Sequence, residues 1–303
     1  MQVLILGSGA GGGCPQWNCN CEVCQGIRQH TIPASPRTQS SIAVSSDGVD
    51  WILINASPDV RQQLYDNKAL WPQDTRQSPI KAVLLTDAQI DHVSGLLILR
   101  EGLPLGLFCT DPVHDELCQS FPLLPVLSHW NGGFTHRAIP SQPSESFQIE
   151  QAPWLEWRSV PLTSNAPPYS PRRNKPKTGD NIALFISDKR SGRSLLYAPG
   201  LGRITPLIKT YMEKADCLLV DGTCWQDDEM ASVGSSKRAR SMGHLPLAGE
   251  GGMIETLSAL RNKRKVLIHI NNTNPVLVED SSERQYLNMH EIEVAYDGMI
   301  LNL

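Results

Sequence analysis

With 303 residues, 40% of them apolar and 19% charged, the chain can bury a sizeable core and lacks the composition of a disordered or fibrous protein. A formal charge of −4 gives no global attraction to nucleic acid or to an anionic membrane, and no apolar run reaches the roughly 18 residues that would span a bilayer. Eight cysteines, several of them tightly clustered, exclude a disulfide scaffold and make metal the better use of any close group.

The opening MQVLILGSG has no basic stretch before its apolar run and no small-residue cleavage site after it. It reads as a first strand of a cytoplasmic protein. Strands are expected at 2–6, 41–45, 51–55 and 82–86, with Asp47-Gly48 turning the second into the third. Helical spacing follows at 58–67, 91–101, 111–119, 205–214 and 248–262. Further strands are expected at 146–150, 154–160, 181–187, 194–198, 217–221, 265–270 and 292–297. Two halves, each mostly strands and ending in strand–helix units, imply an α/β (α+β) fold built as a four-layer αββα sandwich. The expectation is a single domain over 1–303, with long loops at 163–180 and 226–243 as insertions.

Gly7-Ser8-Gly9-Ala10-Gly11-Gly12 matches G-x-G-x-x-G, but Gly13, Cys14 and Pro15 stand where a phosphate-binding helix should open. A glycine turn that brings backbone close to a site is the better reading. Cys19, Cys21 and Cys24 lie within six residues, close enough for three thiolates to wrap one tetrahedral zinc. Cys14, Asn272 and an unassigned histidine are all open as the fourth ligand of this N-terminal clip. Cys109, Cys118, Cys217 and Cys224 sit in apolar runs and read as core. Asp221 ends the buried run CLLVD, where a carboxylate serves as a ligand, a partner for an imidazole or a loop cap; the imidazole partner is expected. His244, in MGHLP after the second loop, is a candidate to move a proton.

In AVLLTDAQIDHVSGLL a buried strand runs into a turn and then a helix, the kind of strand end on which sites are built. Here the chain resembles the metallo-β-lactamase superfamily, whose T-H-x-H-x-D-H signature is met by Thr86-Asp87-Ala88-Gln89-Ile90-Asp91-His92. Both leading histidines are gone. The histidine expected near 159–168 meets only Thr163, Ser164 or Asn165, and the bridging aspartate expected after SLLYA meets Ala198-Pro199. The late histidine is present as His269. The resemblance therefore implies one metal site instead of two, with Asp91, His92 and His269 as ligands. Asp87 and Gln89 are left to bond a metal-bound water or to act as weak ligands. Two imidazoles and a carboxylate with open positions form the ligand set of mononuclear Fe(II) enzymes that activate dioxygen.

The stretches GSGAGGGCPQWNCNCEVC, DGTCWQDDEM, MGHLP, HINNTNP and YDGM narrow the resemblance to the family that makes pyrroloquinoline quinone, over essentially the full chain. In a related phosphodiesterase family a histidine three places after the late metal histidine completes the cysteine clip; Asn272 holds that position here. The resemblance implies a substrate derived from a peptide, a cross-linked Glu-Tyr precursor, and Fe(II)-dependent hydroxylation of its tyrosine ring. A carrier for the cofactor or its precursor, and a residual metallo-hydrolase, are the alternatives. Zinc is able to occupy the iron site on purification. The precursor's carboxylates give the basic runs at 171–177 and 236–240 a partner through Arg172, Arg173, Lys175, Lys237, Arg238 or Arg240. No nucleic-acid or membrane partner is expected, and a homodimer is left open.

Overall fold

Alternation with a period of two sets the layers. The computed structural model describes residues 1–303. Its strands are β1 (Gln2–Gly7), β2 (Ser41–Ser45), β3 (Trp51–Ile54), β4 (Ile80–Leu84), β5 (Leu105–Cys109), β6 (Phe134–Ala138) and β7 (Leu155–Pro161). They continue with β8 (Ile182–Asp188), β9 (Ser194–Ala198), β10 (Cys217–Asp221), β11 (Arg264–Ile268), β12 (Glu293–Val294) and β13 (Ile300–Asn302). One sheet runs β13-β1-β2-β3-β4-β5-β6, the other β12-β11-β10-β9-β8-β7. Each half begins antiparallel, through β1-β2-β3 or β7-β8-β9, and then becomes parallel.

Alternate residues of each strand enter different cores. Ile5, Val44, Ile52 and Leu84 of the first sheet meet Trp157, Leu184, Tyr197, Leu219 and Val266 of the second. The intervening Leu4, Ala43, Leu53 and Val83 face the helical residues Val60, Leu96, Val113 and Leu117. On the other side Leu196, Leu218, Val220 and Leu267 pack on Ile208, Met212, Met253, Leu257 and Leu287. Three apolar seams between four layers make the αββα sandwich, as expected from the strand pattern.

Several elements differ from the sequence reading. Residues 146–150 form no strand; Phe147 alone bridges to Trp157, because the chain turns at Ile149–Ala152 to enter β7. The helix expected at 248–262 is confined to Met253–Ala259, since Gly249 and Gly251 take φ values of 88° and 65°. The helix expected at 91–101 is α-helical only over Ile90–Val93 and continues as 3₁₀ turns through Gly102. The last expected strand shrinks to Glu293–Val294. Strands β5, β6 and β13 and the helices Glu22–Gln29 and Ser282–Met289 are additions. Cys118 is also not fully buried: its sulfur lies 3.5 Å from His114 Nε2.

The segment after β4 is locked onto the end of β3. Ala56 N donates to the His92 carbonyl at 2.7 Å and Gly95 N donates to the Ala56 carbonyl at 2.9 Å. A Cβ on Gly95 would lie 2.1 Å from the Ser57 carbonyl oxygen, so only glycine allows this crossing. Gly95→Ala should therefore destabilise the fold by about 1–3 kcal/mol, the usual cost of overpacking, visible as a lower urea midpoint with an unchanged slope.

Candidate metal centre

The candidate ligands gather at the carboxyl ends of parallel strands, where backbone direction changes and side chains converge. Asp91 and His92 follow β4, Asp221 ends β10, and His269 follows β11 in the left-handed region with φ 61°. The glycine-rich turn closes one side: Ala10 N donates to the Ile270 carbonyl at 2.8 Å, and a Cβ on Gly11 would stand 3.2 Å from Asp91 Oδ2.

Asp91 Oδ2 lies 3.8 Å from His92 Nε2 and 3.4 Å from His269 Nε2. One donor atom from each of the three residues falls within 4.8 Å of the others. His92 Nε2 is buried without any hydrogen-bond partner, a cost that a bound cation would remove. Its Nδ1 faces Asp87 at 2.8 and 2.9 Å. Burial alone would lower the His92 pKa, yet the Asp87 and Asp91 carboxylates outweigh it and raise the value to about 9. Asp91 is held well below the usual carboxylate range, against burial, by His92 and His269. This field favours positive charge, and the donor set suits a divalent metal.

Behind His269 stands Thr223. Its Oγ1 lies 2.6 Å from Asp221 Oδ1, 2.9 Å from His269 Nδ1 and 3.0 Å from His244 Nδ1. Asp221 is fully buried and accepts from Leu201 N at 2.7 Å, from Thr223 N at 2.9 Å and from His244 Nδ1 at 2.6 Å. Both its oxygens are hydrogen-bonded, one of them to an imidazole, although one ligand atom each from Asp221, His244 and His269 also falls within 4.8 Å of the others. His244 stacks on His269 with ring centroids 5.1 Å apart, and Asp221 raises its pKa against the effect of burial.

Asp87 calls for a correction. Its oxygens engage His92 Nδ1, Thr86 Oγ1 and Gln89 N, so it orients the ring from the side away from Asp91 and is not free to work on a bound water. Gln89 lines the cavity, which has a volume of about 280 Å³. Ser164 and Arg173 reach it from one long loop, Lys237 and Met242 from the other. Arg172, its neighbour in sequence, does not: its guanidinium is taken by Glu116 at 2.9 Å and Asp180 at 2.8 Å. Arg238 pairs with Asp227 at 3.4 Å, and Lys175 and Arg240 are exposed outside the cavity lining. Sequence reasoning missed Thr223, which stands behind the cavity, and Asn181, which lines it; a polar residue two places beyond a buried strand-ending aspartate was the available signal for Thr223.

At the other end of the glycine-rich turn the sulfurs of Cys19, Cys21 and Cys24 lie within 4.8 Å of one another. The Asn272 amide nitrogen is assigned 3.1, 3.7 and 3.3 Å from them; turning the amide over would direct its oxygen at the same point as a fourth donor. Burial and the neighbouring thiols raise Cys21 to about 11, the expected result of crowding thiolates without a cation. Cys14 is buried and its sulfur is not part of this group, whereas the Asn272 amide faces it.

Residues 50–270 match the Beta-lactamase superfamily domain. Over 306 aligned residues the chain is 55% identical to coenzyme PQQ synthesis protein B of Stutzerimonas stutzeri, covering 100% of both. It superposes on the structure of Zn(2+)-bound PqqB from Methylobacterium extorquens with a TM-score of 0.91 and 40% identity, again over 100% of both chains. A diphosphatase from the PhnP family shares the fold alone, with a TM-score of 0.67 and 18% identity over 99% of this chain and 96% of the other.

If the three thiols hold zinc, Cys21→Ser should lose one zinc per chain by elemental analysis and melt at a lower temperature. A variant that keeps both its zinc and its melting temperature would remove the clip.

Proposed function

The chain belongs to the coenzyme PQQ synthesis protein B family of the β-lactamase superfamily, and on that premise we propose that it performs a metal-dependent oxidative step in making the quinone cofactor. The step is hydroxylation of the tyrosine ring of a Glu-Tyr cross-linked precursor, followed by oxidation of the catechol to the ortho-quinone. The sequence balances without an external reductant: phenol plus dioxygen gives ortho-quinone plus water. The two electrons and two protons needed for hydroxylation equal those that the catechol releases.

The observation that carries this reading is the convergence of the Asp91 carboxylate with the Nε2 atoms of His92 and His269. Fe(II) in such a set supplies the one-electron chemistry that makes dioxygen reactive toward a ring, which redox-silent zinc does not. Asp91, His92 and His269 would hold it, with Asp87 fixing the His92 ring. Arg173 and Lys237 bind precursor carboxylates at the mouth, and His244, held by Asp221, accepts the proton leaving the ring. A hydrolase of this fold usually has ligands for a second metal, and buried Ala198 stands where the bridging carboxylate is expected. A carrier could use the same polar cavity, but gains nothing from a buried unpartnered imidazole nitrogen. All eight cysteines are free and no helix is long and apolar enough to cross a membrane, in keeping with work in the reducing cytoplasm.

Anaerobically iron-loaded protein given the Glu-Tyr adduct and then oxygen should consume one dioxygen per ring and form the ortho-quinone, with catechol accumulating when a two-electron reductant such as ascorbate is added. His92→Ala and His269→Ala should each lose at least about 100-fold in turnover, the order expected when a metal ligand is removed. Active alanine variants, or equal turnover with zinc, would sink the oxygenase reading and favour the carrier.

The charge at the mouth is tested separately. Arg173→Glu with Lys237→Glu should weaken adduct binding by about tenfold or more, the scale of one or two lost hydrogen bonds to charged groups, as read by titration at low salt. Unchanged affinity would leave both as solvated loop residues.

A further inference from the structure

We infer that Thr223 is a positioning residue that fixes which nitrogen His269 presents to the cavity, relaying the buried charge of Asp221 to that ring. The inference rests on His269 being a metal ligand, as proposed above.

The Thr223 hydroxyl meets Asp221 Oδ1 at 2.6 Å, His269 Nδ1 at 2.9 Å, the His269 carbonyl at 2.9 Å and His244 Nδ1 at 3.0 Å. A hydroxyl has one proton and two lone pairs. Of the two acceptors, Asp221 Oδ1 and the His269 carbonyl, the carboxylate is the stronger and the closer, so the proton goes to Asp221. Directing it elsewhere would set a hydroxyl lone pair against a buried charged oxygen. With that proton assigned, His269 Nδ1 must carry its own hydrogen and donate it to Oγ1. His269 Nε2 is then the bare nitrogen, and it is the one 3.4 Å from Asp91. His244 Nδ1 is accounted for by Asp221 Oδ2 at 2.6 Å, which likewise leaves its Nε2 free.

The backbone supports the same role. His269 is a non-glycine residue in the left-handed region, a conformation that persists only when its surroundings hold it. Thr223 N donates to Asp221 Oδ1 at 2.9 Å, and its carbonyl accepts from Asn271 N at 3.0 Å, two residues beyond His269. Its side chain is thereby fixed between the end of β10 and the turn that carries the ligand. It is nearly fully buried, so water is poorly placed to replace the hydroxyl.

The test compares Thr223→Val, which keeps the shape and removes the hydroxyl, with Thr223→Ser, which keeps the hydroxyl. Metal affinity is read by competing Co(II) against a chromophoric chelator, together with the Co(II) ligand-field spectrum, on the full chain. Thr223→Val should bind about 10–100-fold more weakly with shifted bands, the usual effect of removing a hydrogen-bond partner behind a ligand, and Thr223→Ser should stay near the parent. Parent-like affinity and spectrum in Thr223→Val would overturn the inference. If the valine variant does not fold, long-range nitrogen–proton NMR correlations of the zinc-loaded parent decide: a proton on His269 Nδ1 supports the relay, and coordination through Nδ1 overturns it. His269→Ala separates the two levels. Parent-like binding there removes the ligand reading itself, whereas lost binding there beside intact binding in Thr223→Val removes only the role of Thr223.

Discussion

An imidazole can present to a metal or substrate only the nitrogen that the protein leaves free, and every histidine in this cavity commits Nδ1. Asp87 takes that nitrogen of His92, Thr223 that of His269, and Asp221 that of His244. Each anchor is buried, and a buried carboxylate is tolerated only if donors surround it. Asp221 collects them from Leu201 N and from both the amide and hydroxyl of Thr223, so the strand ends must stay in register. The β10–β11 ladder sets Asp221 opposite Ile268, which puts the next residue, His269, beside Thr223. On the other sheet the Gly95 crossing holds His92 against the end of β3. The sandwich thus acts on chemistry through a few hydrogen bonds at its rim.

The layers were legible because both faces of the central strands are buried in different partners, which leaves a clear apolar signature in β1 to β4 and β8 to β11. Elements without that signature were missed. Strand β6 reads FTHRA because it is an edge strand whose side chains are half-buried or exposed. Strand β13 has only Leu301 buried. The convergence of Asp91, His92 and His269 was readable, since they sit in strand-end motifs, whereas the choice among basic residues was not. Arg172 and Arg173 are adjacent in an aperiodic loop, yet buried Glu116 and Asp180 take the first while the second reaches the cavity. Acids supplied from elsewhere in the chain decide that outcome, and no local pattern records it. Thr223 was overlooked for a related reason: its place after Asp221 was readable, but its importance lies in touching three residues that only the fold assembles.

The missing superfamily histidines are therefore not simple deletions. At the position of the first, Asp87 turns both oxygens toward the back of His92 and so steadies that ring. At the second, Gln89 supplies the backbone N–H that satisfies Asp87 and leaves an amide side chain on the cavity wall. In the region where a third was expected, Ser164 also lines the cavity, in a loop that touches the one carrying His244: a Cβ on Gly243 would lie 2.5 Å from Ser164 Oγ. On this side of the cavity the protein has a buttressed imidazole, a polar wall and two loops in contact. Histidines restored at 87 and 89 would have to compete with that buttress, because a neutral ring at 87 lacks the charge that now steadies Nδ1 of His92. The residues at the two positions that the superfamily signature gives to histidine thus brace the ring of His92 instead.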